Sequence, residues 1–116
     1  MSRTRIALAA LVAVLALALP AVAATPKLTG TVGPGFTITL TQGGKKVSAL
    51  KAGKYSFAVS DKSGIHNFHL KGPGANKDSG VTKQGKSSYT LTLKKGSYTF
   101  ICDPHASSMK GSFKVS

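Results

Sequence analysis

Short runs in which apolar and small polar residues alternate restrict the fold of this chain more than any other feature. The clearest runs are residues 36–41, beginning at Phe36, residues 55–60 and residues 89–93. Period-two alternation gives a strand one apolar face that can pack into a core. Such strands, separated by Gly, Pro and Lys, are typical of an antiparallel β-sandwich, which we predict here. No heptad pattern is present, and 13 Gly in 116 residues exclude a collagen.

Glycine marks the predicted turns. Gly43 and Gly44, followed by two lysines, predict a hairpin turn. Residues 72–80 (GPGANKDSG) form the longest candidate loop. Gly111 is expected to let the chain turn tightly into a last strand.

The first 24 residues have the pattern of an export signal. Arg3 and Arg5 precede an apolar run from residue 6 to residue 19, and small residues at 21–24 suit cleavage. The alternative is an uncleaved anchor, but the run is shorter than the roughly 20 residues that a spanning helix needs. We therefore predict a signal peptide at 1–24, one domain at 25–116, and export to the periplasm or the exterior.

Residues that bind soft metals cluster near the C-terminus. Cys102, the one cysteine of the chain, is followed closely by His105 and Met109. In the segment IHNFHL, residues 65–70, period two places His66 on the side of the core and His69 on the other side. We expect His69 to be a surface imidazole whose replacement has little effect.

One thiolate, two imidazoles and a weak thioether are a donor set that suits copper. Thiolate and thioether sulfur favour Cu(I), whereas imidazole nitrogen also suits Cu(II). A site between these two preferences reorganises little when an electron is transferred. The residues therefore indicate a redox carrier rather than a catalyst.

The order of these motifs resembles the cupredoxin family, the small type 1 blue copper proteins that include plastocyanin, amicyanin, pseudoazurin and azurin. The resemblance rests on His66-Asn67, the aromatic strand YTFIC, a Cys-x-x-His motif with Pro104 before its histidine, then Met109 and a terminal strand. One departure concerns the axial ligand: three residues separate His105 from Met109, one fewer than in plastocyanin and one more than in amicyanin.

The resemblance implies a Greek-key β-sandwich or barrel of about seven to eight strands that holds one copper ion. It implies equatorial ligands His66, Cys102 and His105, with Met109 as the weak axial ligand. Asn67 would tie the ligand loop to the strand. Pro104 has no backbone N–H, so it cannot donate a hydrogen bond to the Cys102 sulfur. Phe68, Phe100 and Phe113 are candidates for the apolar packing that excludes water.

The charge of the chain suggests its partners. Lys and Arg number 16 against three Asp and Glu, for a formal net charge of +13. Export, and the lack of arginine after Arg5, argue against nucleic acid as a partner. We expect the lysines to steer an acidic redox protein to a monomeric carrier, and the charge also suits an anionic envelope surface.

Three other functions use the same residues. A copper delivery or resistance module would need the ligands without redox cycling. A metal-free interaction domain would leave Cys102 and His105 incidental. A Cys-His hydrolase would use Cys102 as a nucleophile, but the domain is small for a substrate cleft and has no oxyanion-hole motif. We therefore do not predict an enzyme.

Overall fold

The computed structural model describes residues 9–15, 17, 19 and 24–116. The predicted signal peptide, residues 1–24, therefore lies largely outside the described residues. In the described part of the chain, no helix has the length and apolar character needed to cross a membrane.

Strands account for nearly all regular structure among the described residues. They are β1 (Lys27–Val32), β2 (Ile38–Gln42), β3 (Lys45–Lys46), β4 (Ala49–Leu50), β5 (Gly53–Asp61), β6 (His69–Gly72), β7 (Ala75–Asp78), β8 (Gly85–Leu93), β9 (Gly96–Ile101) and β10 (Lys110–Val115). A single 3-10 turn, Asp103–His105, separates β9 from β10. β3 and β4 have only two residues each. The eight longer strands agree with the predicted number of about seven to eight.

The strands form two five-stranded sheets, in the orders β3-β2-β1-β5-β8 and β4-β10-β9-β6-β7. This arrangement confirms the predicted all-β sandwich. Two pairs, β1 with β5 and β10 with β4, are parallel, whereas the others are antiparallel. The expectation of a purely antiparallel sandwich is therefore wrong at these pairs, because local alternation does not encode the direction of a neighbour.

The core lies between the sheets and is built from the alternating apolar residues. In β5, Tyr55, Phe57 and Val59 are buried, while the residues between them are more exposed. Phe68 stacks on Phe100 with ring centroids 5.5 Å apart. These two rings and Phe113 are buried, as expected, and they close the core beneath the end of β9.

Two segments differ from the sequence prediction. Residues 72–80 are not one loop, because β6 and β7 pair as a hairpin around Pro73 and Gly74. The run beginning at Phe36 becomes a strand only at Ile38, and Phe36 lies in a bend with 60% of its surface exposed. The tight turn expected at Gly43 and Gly44 is present, and both glycines have positive φ.

The turn predicted at Gly111 is not formed there. It lies inside β10, paired with Phe100 of β9. A Cβ at this position would meet the Phe100 ring at 2.2 Å. Glycine is therefore required here to make room for an aromatic ring directly below the ligand loop.

Candidate metal centre

The predicted ligands come from two segments that meet at one end of the sandwich. His69 at the start of β6 pairs with Ile101 at the end of β9, and Lys110 at the start of β10 pairs with the same residue. The segment before β6 therefore lies beside the loop between β9 and β10. His66 belongs to the first segment, and the predicted ligands from residue 102 to residue 109 belong to the second.

The ligand loop is a short, hydrogen-bonded turn. The Cys102 N–H donates to the Met109 carbonyl over 3.0 Å, which closes the loop. Within it, the N–H groups of His105 and Met109 donate to the carbonyls of Cys102 and His105, over 3.0 and 2.8 Å. Pro104 lies in the first turn of the 3-10 segment, where its fixed φ is favourable and its missing N–H is not needed. The Cys-x-x-His spacing thus returns both side chains to the same side of the loop.

The thiol and the two imidazoles converge on one point. The Cys102 Sγ lies 3.6 Å from His66 Nδ1 and 3.5 Å from His105 Nδ1. The two Nδ1 atoms lie 3.2 Å apart. Metal bonds of about 2.0–2.3 Å in one plane place neighbouring donor atoms about 3–4 Å apart. The three atoms are therefore spaced to share one ion, and a His₂Cys set of this kind fits copper.

Burial differs among the predicted ligands. Cys102 and Met109 are fully buried, and His66 is almost so. His105 is only partly buried. The thiol is therefore shielded from water, whereas one imidazole reaches the surface. Met109 closes the loop with its backbone carbonyl and has an enclosed side chain, and its role as the axial ligand stays a prediction.

The backbone of the loop between β1 and β2 orients His66. Its Nε2 lies 2.9 Å from the Gly35 carbonyl oxygen, which can only accept a hydrogen bond. The ring therefore carries its proton on Nε2. Its Nδ1 keeps a lone pair that faces the other two candidate ligand atoms and can bind a metal ion. Sequence reasoning missed this contact because a carbonyl group 31 residues away has no side-chain signature.

Phe36 was also misassigned by its alternation pattern. Its ring meets the rings of His66 and His105 edge-on, with centroids 5.5 and 4.9 Å away. It therefore covers the two imidazoles instead of entering the core. The preceding residues, Gly33 to Gly35, could have indicated a loop at this point, since Gly and Pro punctuate structure.

Asn67 connects the segment of His66 to the loop that follows Cys102. Its Oδ1 accepts the Asp103 N–H over 2.7 Å. Its Nδ2 donates to Asp103 Oδ2 over 2.6 Å and to Asp78 Oδ1 over 2.9 Å. These bonds explain why a residue on the side away from the core is fully buried.

Asp103 and His69 complete this network. His69 Nδ1 lies 2.8 Å from Asp103 Oδ2, and the His69 side chain is only 14% exposed. Partial burial raises the pKa of Asp103, but hydrogen bonds from Asn67 and His69 and the nearby His69 and Lys71 charges hold it below its ordinary value of 3.8. The ring of His69 is directed away from the copper ligands, as predicted, but it is not a free surface group.

Comparisons with known proteins agree with this geometry. A family model for copper-binding proteins of the plastocyanin/azurin family matches residues 44–116. No curated protein sequence matches the chain.

Solved structures share the fold. Reduced rusticyanin is similar with a TM-score of 0.54 and 21% identity, over 78% of each chain. Reduced rusticyanin solved by NMR gives a TM-score of 0.53 and 20% identity, over 78% of this chain and 76% of that one. A chain in a haem-copper terminal oxidase dimer gives 0.50 and 16%, over 78% and 63%. At such identities, these similarities concern the fold alone.

The family match extends from β3 to the C-terminus and therefore includes all four predicted ligands. It covers more than half of the chain. Sequence pattern, sandwich architecture and donor chemistry lead to the same assignment. This chain belongs to the plastocyanin/azurin family of copper-binding proteins, the cupredoxins, and its cofactor is one copper ion.

Proposed function

We propose that this protein is an exported type 1, or blue, copper protein that carries single electrons between larger redox partners. The observation that carries the proposal is the set of one thiol and two imidazoles, whose donor atoms lie 3.2 to 3.6 Å apart. When bound, copper supplies the one-electron change between Cu(I) and Cu(II). The chain supplies the ligands, their orientation and the exclusion of water.

The proposed ligands are His66, Cys102 and His105 in the plane, with Met109 as the weak axial ligand. Hydrogen bonds from His66 to Gly35 and from Asp103 to Asn67 restrict the two ligand-bearing segments. A restricted donor set changes little between oxidation states, which favours fast electron exchange.

The surface near His105 is the proposed route for electrons. His105 is the most exposed of the proposed ligands. Phe36 and Ile65, both more than half exposed, are the large apolar side chains on the surface of residues 24–116. Phe36 contacts the His105 ring, and Ile65 precedes His66. A partner that docks over Phe36 would come close to the imidazoles of His66 and His105.

Burial supports a carrier over the alternatives. A delivery module must exchange its ligands readily, but Cys102 and His66 are enclosed, and the His66 ring is held by a hydrogen bond to the Gly35 carbonyl. A hydrolase must bring its nucleophile to the substrate, and the Cys102 thiol has no exposed surface. We therefore propose a function without catalytic residues.

Charge supports an acidic partner. All the lysines are exposed. The three carboxylates each accept an internal hydrogen bond, from Ser63 to Asp61 and from Asn67 to Asp78 and Asp103. Because the chain after residue 24 has 14 lysines and only three aspartates, the positive surface charge is largely unopposed, which favours encounter with an acidic redox protein and also suits an anionic envelope surface. We propose that the protein acts as a monomer after residues 1–24 are removed.

Electrochemistry combined with a transfer assay distinguishes a carrier from a delivery module. The copper-loaded protein is examined by voltammetry and then mixed with an apo-protein that binds copper more tightly. We expect a reversible one-electron wave, fast oxidation or reduction by a native membrane fraction, and slow release of copper. An irreversible wave combined with rapid hand-off of copper would contradict the proposal.

A further inference from the structure

Beside the ligand loop, His69, Asp103 and Asn67 form a hydrogen-bonded chain that ends at the backbone between two proposed ligands. We propose that His69 is a positioning residue for this loop: it fixes the Asp103 carboxylate, which, with Asn67, fixes the backbone between Cys102 and His105. This inference rests on the proposed function to the extent that the loop supplies copper ligands. It reverses the expectation that replacing His69 would have little effect.

Both neighbouring strands hold His69 in place. It begins β6, where its Cα pairs with Asp78 of β7 on one side and with Ile101 of β9 on the other. Its Nδ1 lies 2.8 Å from Asp103 Oδ2. Because an ionised carboxylate can only accept, Nδ1 is the donor. Its Nε2 lies 2.5 Å from the side-chain amide of Asn76, which offers an N–H donor when its NH₂ group is turned toward the ring, so contacts at both nitrogens determine the plane of the ring.

Asp103 transmits this constraint to the loop. It follows Cys102 directly, and its side chain is 39% exposed. Without His69, this carboxylate would be held by the Asn67 amide alone, and His69 supplies the second fixed donor. Asn67 and Asp103 close a ring of two hydrogen bonds, one through the Asp103 N–H and one through its carboxylate. When His69 holds the carboxylate, both bonds of this ring are kept, and the Cys102–His105 turn is kept with them.

The network also affects charge beside the thiolate. The donors from His69 and Asn67 partly neutralise the Asp103 carboxylate next to Cys102. Loss of the His69 donor would leave more negative charge near the copper site. Negative charge stabilises Cu(II) relative to Cu(I), so the reduction potential would fall.

His69, Asp78 and Asp103 also have donor atoms close enough together to suggest a second metal site. Their nitrogen and oxygen atoms are, however, already hydrogen-bonded to one another and to Asn67. These contacts account for the cluster without an ion.

Three variants separate positioning from simple packing. In His69→Asn, the amide nitrogen takes the place of Nδ1 and can still donate to Asp103. In His69→Gln, the amide nitrogen takes the place of Nε2, so the hydrogen bond to Asp103 is lost. His69→Ala loses both. Asparagine and glutamine have similar chemistry, so they form a matched pair that differs in which contact is kept.

The first measurement is hydrogen exchange of the Asp103 amide in the copper-free protein, and the second is copper release and reduction potential in the loaded protein. We expect the Asn variant to resemble the wild type. We expect the Gln and Ala variants to exchange the Asp103 amide at least tenfold faster, to release copper roughly 10- to 100-fold faster and to have lower potentials.

Equal behaviour of the Asn and Gln variants, whether both altered or both normal, would overturn the inference. If the Ala variant does not fold, the Asn and Gln pair still decides the question. Failure of the proposed function is recognised separately, because the wild-type protein would then lack blue copper or would show an irreversible wave with rapid hand-off of copper. Hydrogen exchange of the Asp103 amide in the copper-free protein would then still show whether His69 positions the loop.

Discussion

Met109 is the residue whose role depends most on one sulfur atom. It is fully buried, and its backbone closes the ligand loop. Met109→Leu conserves volume, so we expect a loss of less than about 1.5 kcal/mol in the free energy of unfolding. A weak axial ligand tunes a copper site more than it holds the ion, so copper should remain bound while the reduction potential shifts. Voltammetry measures the potential, and absorption measures the visible spectrum. If both are unchanged in the variant, Met109 is only a packing residue.

Tyr89 allows a test of pH dependence away from the copper site. Its hydroxyl is buried without a hydrogen-bond partner in the described structure. Burial, and to a smaller extent the charge of Asp78, raise its pKa from 10.0 to about 12. The folded protein thus keeps this proton at a pH where the unfolded chain loses it. Because the unfolded chain releases the proton first, the free energy of unfolding should fall as the pH rises from 10 through 12.

Tyr89→Phe removes this effect. At pH 7 we expect the variant to be as stable as the wild type or about 1 kcal/mol more stable, since a buried hydroxyl without a partner is removed. Its advantage should grow above pH 10, as measured by urea unfolding. Tyr55→Phe is the control: Tyr55 donates to the Lys51 carbonyl over 2.7 Å, so its loss should cost about 1 kcal/mol. An advantage for Tyr89→Phe that shrinks above pH 10 would contradict the assignment.

Among individual residues, the sequence predicted which candidate donors come together better than it predicted the groups that orient them. Cys102, His105 and Met109 are close in the chain, so their chemistry was visible. The Gly35 carbonyl carries no side-chain signal, and Phe36 fits a strand pattern equally well. Period two correctly directed His69 away from the core. It did not indicate that β7 and the ligand loop would enclose its ring, because alternation describes one strand and not its neighbours.

At the scale of elements, the packing of β10 against β9 depends on one missing side chain. A Cβ on Gly111 would lie 2.2 Å from the Phe100 ring, which is itself stacked on Phe68. Gly111→Ala should therefore lower the free energy of unfolding by about 1–3 kcal/mol through overpacking. Gly64→Ala is the matched control, because nothing lies within 4 Å of its added Cβ. Equal thermal stability of the two variants would contradict this packing.

The predicted strands were correct where alternation was strong and wrong where turn residues dominated. β5 and β8 follow the period-two pattern and pair over nine residues. The β6–β7 hairpin was missed because Gly, Pro, Asn and Asp crowd residues 72–80, although only Pro73 and Gly74 form its turn. Pairing direction was not predictable, since the parallel pairing of β1 with β5 depends on contacts between distant parts of the chain.

At the scale of the whole molecule, the excess of lysine should control encounter with partners. Because the chain after residue 24 carries 14 lysines and three aspartates, the rate constant for electron transfer with an acidic redox protein should fall at least tenfold as ionic strength rises from about 0.01 to 0.5 M. Stopped-flow kinetics measure this rate, and an uncharged small reductant provides the control with little salt dependence. A rate that is constant or rises with salt would exclude electrostatic steering by an acidic partner.

The central claim is that one thiolate and two imidazoles bind a single copper ion in this sandwich. Titration of the purified protein with Cu(II), followed by visible absorption, tests it most directly, with Cys102→Ser as the matched variant. The account predicts an intense blue thiolate-to-copper band that saturates at one ion per chain, and a folded Cys102→Ser protein without that band. A colourless wild-type protein at saturation, or a Cys102→Ser protein that stays blue, would contradict it.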